Sequence, residues 1–344
     1  MTERITCTWQ GSWLCTGVAS KWSCLVATLL VAGMALSPRG VAAQTASSLT
    51  AGQGVRPTFR SGVDLVSVAA VVHDRRGKVV RNLSRDDFVV FDNGVPRPIV
   101  EFSAAEDGPV SVAVLFDVSG SMAMASSFAA GRRAIDHLLS WLNPGVDEVG
   151  LFAFDRRLHQ VQAFTTDPGK VRASLATLGA YGMTSLYDAI GQVARRLGER
   201  ESRRRAIVVL TDGLDNGSQL TAGEVSGIAS STDVPVYVIA VVSRVDHAGG
   251  PEAVGGLQAD ATTALTNLAW WTGGNSFIVS ADAHASIAAR TVLAELRHQY
   301  VLAFESAPTP GWRPLDIRLR RRELTVRARS GYFSSMPAAR PLGK

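Results

Sequence analysis

The sequence predicts an α/β fold: a doubly wound, mainly parallel sheet with a smaller flanking β domain. Three observations predict it. Between residues 110 and 296, short apolar runs alternate with stretches of helical periodicity. The runs VSVAVLF, EVGLFAF, AIVVL and PVYVIAVV are apolar nearly throughout, as strands are when helices cover both faces of their sheet. Outside that span the rhythm changes to period two. PLDIRLRR and ELTVRARSGYF alternate Arg against Leu, Ile or Val, the pattern of antiparallel strands with one buried face.

The elements follow in order. Residues 58–106 read as a small β module. VDLVSVAAVVHD is its first strand, DRRGK a turn, and DDFVVFDNGV and PRPIVEFSA further strands. Asp92-Asn93-Gly94 marks a hairpin, because Asn and Gly tolerate the positive φ of a tight turn. The α/β domain spans residues 107–297. Behind VSVAVLF, residues 128–142 form a helix with Ile135, Leu138, Leu139 and Leu142 on one face. EVGLFAF follows, then LHQVQAF as an edge strand. Residues 186–197 form a second helix, with Leu186, Ile190, Val193, Ala194 and Leu197 inward. The strand RRAIVVLTDG, a short helix, the strand PVYVIAVV and a helix at residues 261–271 complete the alternation. Residues 298–335 hold three short strands, QYVLAFES, PLDIRLRR and ELTVRARSGYF, and residues 336–344 are a tail. Those strands need a surface for their apolar face. The expected surface is the N-terminal module, which would split the β domain around the α/β domain.

The first 43 residues read as a signal peptide. LVATLLVAGMAL follows Lys21, and Val41-Ala42-Ala43 offers small residues at a cleavage site before Gln44. The run is shorter than the roughly 20 apolar residues that a membrane span needs. An uncleaved anchor is the alternative, and only it would bring membrane contact. Residues 44–57 are small and polar, a flexible leader. Cys7, Cys15 and Cys24 all precede the cleavage site, so disulfides are not expected in the exported chain. The expected location is periplasmic or extracellular.

Composition excludes several classes. At 344 residues, 46% hydrophobic and 19% charged, the chain can bury a sizeable core and is not a disordered polyelectrolyte. Its formal charge is +5 and falls to +3 without the leader, too little to draw a polyanion. The arginine cluster RRLGERESRRR joins a helix end to a strand, where cations suit the helix C-terminus and interspersed acids suit a solvated face. RLRRRE near Arg320 reads as a turn with outward arginines. Neither is interleaved with aromatics as a nucleic-acid site is, and no nucleic-acid partner is expected.

In an open parallel sheet, sites form beyond the carboxyl ends of the strands. VSVAVLF ends in Asp117-Val-Ser119-Gly-Ser121, AIVVL ends in Thr211-Asp212-Gly213, and GMTSLYDAI puts Thr184 at a helix start. Gathered at one edge, Asp117 and Asp212 supply two carboxylates, and Ser119, Ser121 and Thr184 supply three hydroxyls. An all-oxygen set suits a hard cation, and so few charges suit Mg²⁺ better than a Ca²⁺ cage.

DVSGS, GMT and TDG, in that order on an α/β chain, resemble the metal-ion-dependent adhesion site of von Willebrand factor type A domains. VDLVSVAAVVHDRRGKVVRNLSRDDFVVFDNG before the domain and LRHQYVLAFES…SGYF after it resemble an exported bacterial subgroup of that superfamily. The resemblance implies that Ser119 and Ser121 ligate the ion, that Thr184 does so in at least one state, and that Asp117 and Asp212 orient ligands and waters. It implies Mg²⁺, or Mn²⁺ or Ca²⁺, with one vertex left for an Asp or Glu carboxylate of a partner protein. It also implies a Rossmann-like sheet.

Plainer readings exist for each piece. DVSGS alone is an ordinary turn before a helix, TDG is a common strand exit, and Ser185-Leu-Tyr-Asp188 fits a capping box. A serine nucleophile needs a base, and no histidine lies near these segments. An aspartyl phosphotransferase would carry a second Asp at position 119, and no phosphate loop ending in Lys-Ser/Thr is present. No catalytic residues are therefore assigned. The expectation is a non-enzymatic, exported, metal-dependent protein-binding module. Behind it stand an envelope assembly protein with a fold-stabilising metal, and third a Mg-dependent phosphohydrolase. Two further segments bear on specificity. Residues 243–256, SRVDHAGGPEAVGG, follow a strand onto the same edge, and Met122, Met124 and Phe128 could offer apolar contact beside the ion.

Overall fold

The computed structural model describes residues 65–104, 108–123, 125–180, 182–200, 204–213, 215–241, 256–307 and 309–334. The leader of residues 1–43, residues 44–57, the loop at 243–255, Met124 and the tail at 336–344 lie outside them.

Four strands come first: β1 (Leu65–His73), β2 (Phe88–Asp92), β3 (Val95–Arg97) and β4 (Ile99–Ser103). The α/β body follows with β5 (Ser111–Asp117), α1 (Ala125–Ser140), β6 (Glu148–Phe154), β7 (Leu158–Thr165), α2 (Pro168–Ala176) and α3 (Leu186–Gly198). It continues with β8 (Arg205–Thr211), α4 (Ala222–Ser231), β9 (Val236–Val241), α5 (Gly256–Trp271), β10 (Ser276–Val279) and α6 (Asp282–Arg297). Last come β11 (Tyr300–Glu305), β12 (Gly311–Leu319), β13 (Thr325–Ala328) and β14 (Gly331–Ser334).

The central sheet has six strands in the order β10-β9-β8-β5-β6-β7. Five run parallel, and only the edge strand β7 is antiparallel to its neighbour. Strand β5 shows why the sheet is covered twice. All seven of its residues are buried, and successive side chains point to opposite faces. Val112, Val114 and Phe116 join the core that includes Ile135, Leu138 and Leu139 of α1 and Val292 and Leu296 of α6. Ala113 and Leu115 join a second core with Ile190 and Val193 of α3, Val225 of α4 and Leu268 of α5. An apolar run with no polar phase can only be satisfied between two helical layers.

The smaller β domain draws on both ends of the described chain. One sheet has the order β13-β1-β11-β4 and the other β14-β12-β2-β3. β1 pairs antiparallel with β11 from Leu65↔Glu305 to Ala70↔Tyr300, and β12 pairs with β2 from Leu315↔Asp92 to Leu319↔Phe88. Val68, Val72, Leu302 and Phe304 of the first sheet share a core with Phe88, Val90 and Ile317 of the second. The Asp92-Asn93-Gly94 hairpin is present, with φ of 50° at Asn93 and 79° at Gly94. Asp92 itself is buried, and accepts from Nε and Nη2 of Arg313 at 2.6 and 3.0 Å.

Polar contacts tie the β domain to the body. Glu295 of α6, 1% exposed, accepts from His73 Nε2 at 3.0 Å and from Arg327 Nη2. Arg329 donates to the carbonyls of Ser230 and Ser67, the latter at 2.6 Å. Among the described residues no helix is long and apolar enough to cross a membrane.

Three sequence expectations need correction. The fifth helix begins at Gly256, not residue 261. Two helices were not foreseen, α2 and α6. Helix α2 buries only Pro168, Val171 and Leu175, and the first half of α6, which packs on α1, buries only alanines (Ala285, Ala288, Ala289), which carry little hydrophobic contrast. The arginine cluster is not simply a solvated face. Arg205 Nη1 donates to the carbonyls of Leu197, Gly198 and Arg200, and Nη2 to that of Thr232 at 2.8 Å. It satisfies the open carbonyl ends of α3 and α4 together.

Candidate metal centre

The centre starts from strand register. β5 and β8 are parallel neighbours with Phe116 opposite Leu210, so Asp117 and Thr211 leave the sheet side by side. Thr211 Oγ1 donates to Asp117 Oδ2 at 2.7 Å, and the Ser119 backbone N–H donates to Oδ1 at 2.9 Å. Gly213 N–H in turn donates to Thr211 Oγ1 at 3.0 Å. Asp117, Ser119 and Thr211 are all buried.

After Ser119 the chain turns through a short 3-10 segment, Gly120–Ala123, and folds back on itself. That turn brings Ser119 Oγ and Ser121 Oγ to 3.0 Å from each other. The neighbouring Gly120 N–H donates to the Gly182 carbonyl at 2.9 Å. This bond joins the DVSGS loop to the GMT loop. Gly182 has φ of +94°, and a Cβ there would stand 3.0 Å from Asp155 Oδ2. Only glycine suits the position. Two residues on, Thr184 is buried, with its N–H donating to Asn216 Oδ1 at 3.0 Å and its carbonyl accepting from Asn216 N–H at 3.1 Å. Asp212 is half-buried at the exit of β8.

Burial pushes the Asp117 carboxyl up to about 6, and the charge of Asp212 adds to the rise. Hydrogen bonds from Ser119 and Thr211 pull it the other way. A dication would offset both effects that raise it, since an opposite charge nearby favours the ionised form. The donor chemistry also fits. Among the described residues no three His, Cys, Asp or Glu side chains gather into a metal-binding group. The edge offers mainly hydroxyl oxygens, with Asp117 and Asp212 as its carboxylates, and such a set suits a hard ion that keeps water in its shell.

Two local expectations fail here. Ser185 is the N-cap of α3 but makes no side-chain capping bond. The open N–H groups of α3 are met from the loop after β8, by Asp215 Oδ2 on Tyr187 N–H and Ser218 Oγ on Asp188 N–H, each at 3.1 Å. Asp188 faces back to that loop and accepts from Leu220 N–H at 2.9 Å. Met122 does not border the ion site either, being fully buried in the core with Phe116. Phe128 stacks near Phe116, ring centroids 5.0 Å apart. The exposed apolar side chain of the GMT loop is Met183.

Thr211, Asn216 and Asp155 were missed as positioning residues. A signal existed for the first two, since Thr211 belongs to TDG itself and Asp215-Asn216-Gly217 is rich in residues whose side chains bond nearby backbone. Asp155 carried none.

A sheet with helices on both faces and these loops at its carboxyl edge defines a doubly wound α/β domain. Residues 112–214, within the α/β body, match the model of the von Willebrand factor type A domain, and the body has the fold of such a domain. No curated protein matches the chain. Solved structures that show likeness include the following three. BatB from Bacteroides thetaiotaomicron is 20% identical, over 53% of this chain and 97% of that one, with a TM-score of 0.44. A von Willebrand factor type A protein from Catenulispora acidiphila is 13% identical, over 80% and 75% of the two chains, with a TM-score of 0.42. Proximal thread matrix protein 1 from the mussel byssus, described with a zinc-occupied adhesion-site motif, is 14% identical over 60% and 49%, with a TM-score of 0.45.

Proposed function

We propose that the chain is an exported protein-binding module that works through a divalent cation at the edge built by β5 and β8. Ser119, Ser121 and Thr184 supply hydroxyl oxygens, while Asp117 and Asp212 supply charge and orientation. Mg²⁺ is the preferred ion, with Mn²⁺ or Ca²⁺ as substitutes. When bound, the ion supplies Lewis acidity, and an Asp or Glu carboxylate of a partner protein completes its shell. The observation that carries this reading is the convergence of Ser119 Oγ and Ser121 Oγ at 3.0 Å beside the buried Asp117 carboxyl. An ordinary turn has no need to bring two hydroxyls together over a buried charge.

The protein's own part is positioning. Thr211 and the Ser119 N–H hold Asp117 in one orientation, and the Gly120–Gly182 bond holds the two hydroxyl-bearing loops together. A preorganised site spends little binding free energy on ordering its loops. Export through the leader belongs to the same proposal, and the mass of the exported chain would test cleavage before Gln44.

The deciding experiment is calorimetric titration of Mg²⁺ and Mn²⁺ into EDTA-stripped protein, beside the Ser119→Ala/Ser121→Ala variant. Saturable one-site binding that disappears in a variant with an unchanged unfolding midpoint is the expected result. Equal binding by both proteins would sink the assignment.

A further inference from the structure

A second site lies away from this edge, on the seam between α4 and the β domain. A cavity of about 730 Å³ opens there, walled by the rings of Trp271, Trp312 and Phe333, with Glu224 and Ser226 of α4 among its other lining residues. We propose that this cavity binds an alkylated ammonium ion of the choline type.

The rings are large apolar groups left in water, with Trp271 and Trp312 each 42% exposed and Phe333 58% exposed. They are nevertheless held in place. Trp312 lies against Gly331, where a Cβ would stand 2.3 Å from its Cζ2. Its ring meets that of Phe333 at 66°, centroids 5.3 Å apart, so the two form adjoining walls and not one flat platform. Trp271 is anchored at its backbone, where Ser330 N–H donates to its carbonyl at 2.9 Å.

A carboxylate lines the same cavity. Phe333 packs over Gly227, with 3.6 Å between its Cε2 and a Cβ built there. Glu224 is three residues earlier on the same helix, hence on the same face and about 5–6 Å away between Cβ positions. Thr221 donates to Glu224 Oε2 through both its N–H and its hydroxyl, at 2.8 and 2.9 Å. Those bonds hold the Glu224 carboxyl below its usual range, so it is anionic at neutral pH.

Aromatic faces and one carboxylate together favour a cation that is large, weakly hydrated and clad in methyl groups. Such an ion buries apolar surface against the rings while its charge meets both their negative faces and the carboxylate.

The test is titration of the full chain with choline, followed by tryptophan fluorescence and calorimetry. The control is the uncharged isostere in which a tert-butyl group replaces the trimethylammonium. Saturable choline binding with the isostere about tenfold weaker, weakened in Glu224→Gln and abolished in Trp312→Leu and Trp271→Leu, is the expected pattern. Glu224→Gln keeps a side chain able to accept from Thr221, so its fold should survive even if a tryptophan variant fails to fold. Cosedimentation with phosphatidylcholine vesicles, competed by free choline, would assign a lipid headgroup, and binding of free choline alone would assign a soluble ion. Either supports the proposal. Equal affinity for the isostere, or no saturable choline binding, overturns it.

Discussion

Thr211 Oγ1 donates to Asp117 Oδ2 at 2.7 Å across two adjacent parallel strands. The bond ties together the carboxyl ends of β5 and β8, and it gives the buried Asp117 carboxyl a donor beside the Ser119 N–H. Replacing Thr211 with Val keeps the shape and removes the hydroxyl. We expect Thr211→Val to lower stability by about 1–3 kcal/mol, the cost of leaving a buried polar group short of a partner. It should also weaken Mg²⁺ binding, and chemical denaturation with and without the ion measures both.

Gly182 carries the second expectation. Its positive φ and the 3.0 Å approach to Asp155 leave no room for a Cβ. Gly182→Ala should cost roughly 1–3 kcal/mol and should strain the bond from Gly120 N–H to the Gly182 carbonyl. Because that bond joins the loops bearing Ser121 and Thr184, cation affinity should fall even where the variant stays folded. Unchanged affinity in a folded variant would show that the two loops act separately.

Glu295 and Arg327 form a buried pair between α6 and β13, with side chains 1% and 9% exposed. Arg327→Met leaves the buried Glu295 charge with only His73 and the Tyr237 hydroxyl beside it, and should destabilise the protein by about 3–5 kcal/mol. Glu295→Gln in the same chain should recover much of that loss. A double-mutant cycle by urea unfolding separates the coupling from the cost of each substitution.

Asp87 gives a pH dependence. The N–H and hydroxyl of Ser84 hold its carboxyl below the ordinary 3.8, and Arg321 contributes. A folded-state value below the unfolded one means stability that is present above pH 3.8 and lost as pH falls through the folded value. Asp87→Ala should therefore be less stable than the parent at pH 7, by about 1 kcal/mol. The gap should narrow on acidification below the unfolded value. A gap constant from pH 7 down to pH 2 would show that the carboxylate's charge contributes nothing.

Much of the architecture was legible because hydrophobic patterning responds directly to burial. VSVAVLF, EVGLFAF and AIVVL have no polar phase and became central strands, and the Asn93-Gly94 hairpin carries its φ requirement in its residue types. Helix α6 was not legible, since alanines bury a face without contrasting with their neighbours. Ser185 and Asp188 misled for another reason. Both have capping chemistry, but the acceptors that serve the first N–H groups of α3 come from residues some thirty positions away, at Asp215 and Ser218.

By itself, the sequence determined which segments are strands buried on both faces, and hence that Asp117 and Thr211-Asp212 must emerge at the carboxyl edge of a parallel sheet. It determined the donor types there, because residue identity sets them. Only the tertiary structure decided the register that puts Thr211 on Asp117, the loop contact from Gly120 to Gly182, and the meeting of Trp271, Trp312 and Phe333 with Glu224. The reason is physical. Burial and local conformation act on a residue and its near neighbours, whereas these contacts join residues tens of positions apart and exist only when strand order and packing bring them together.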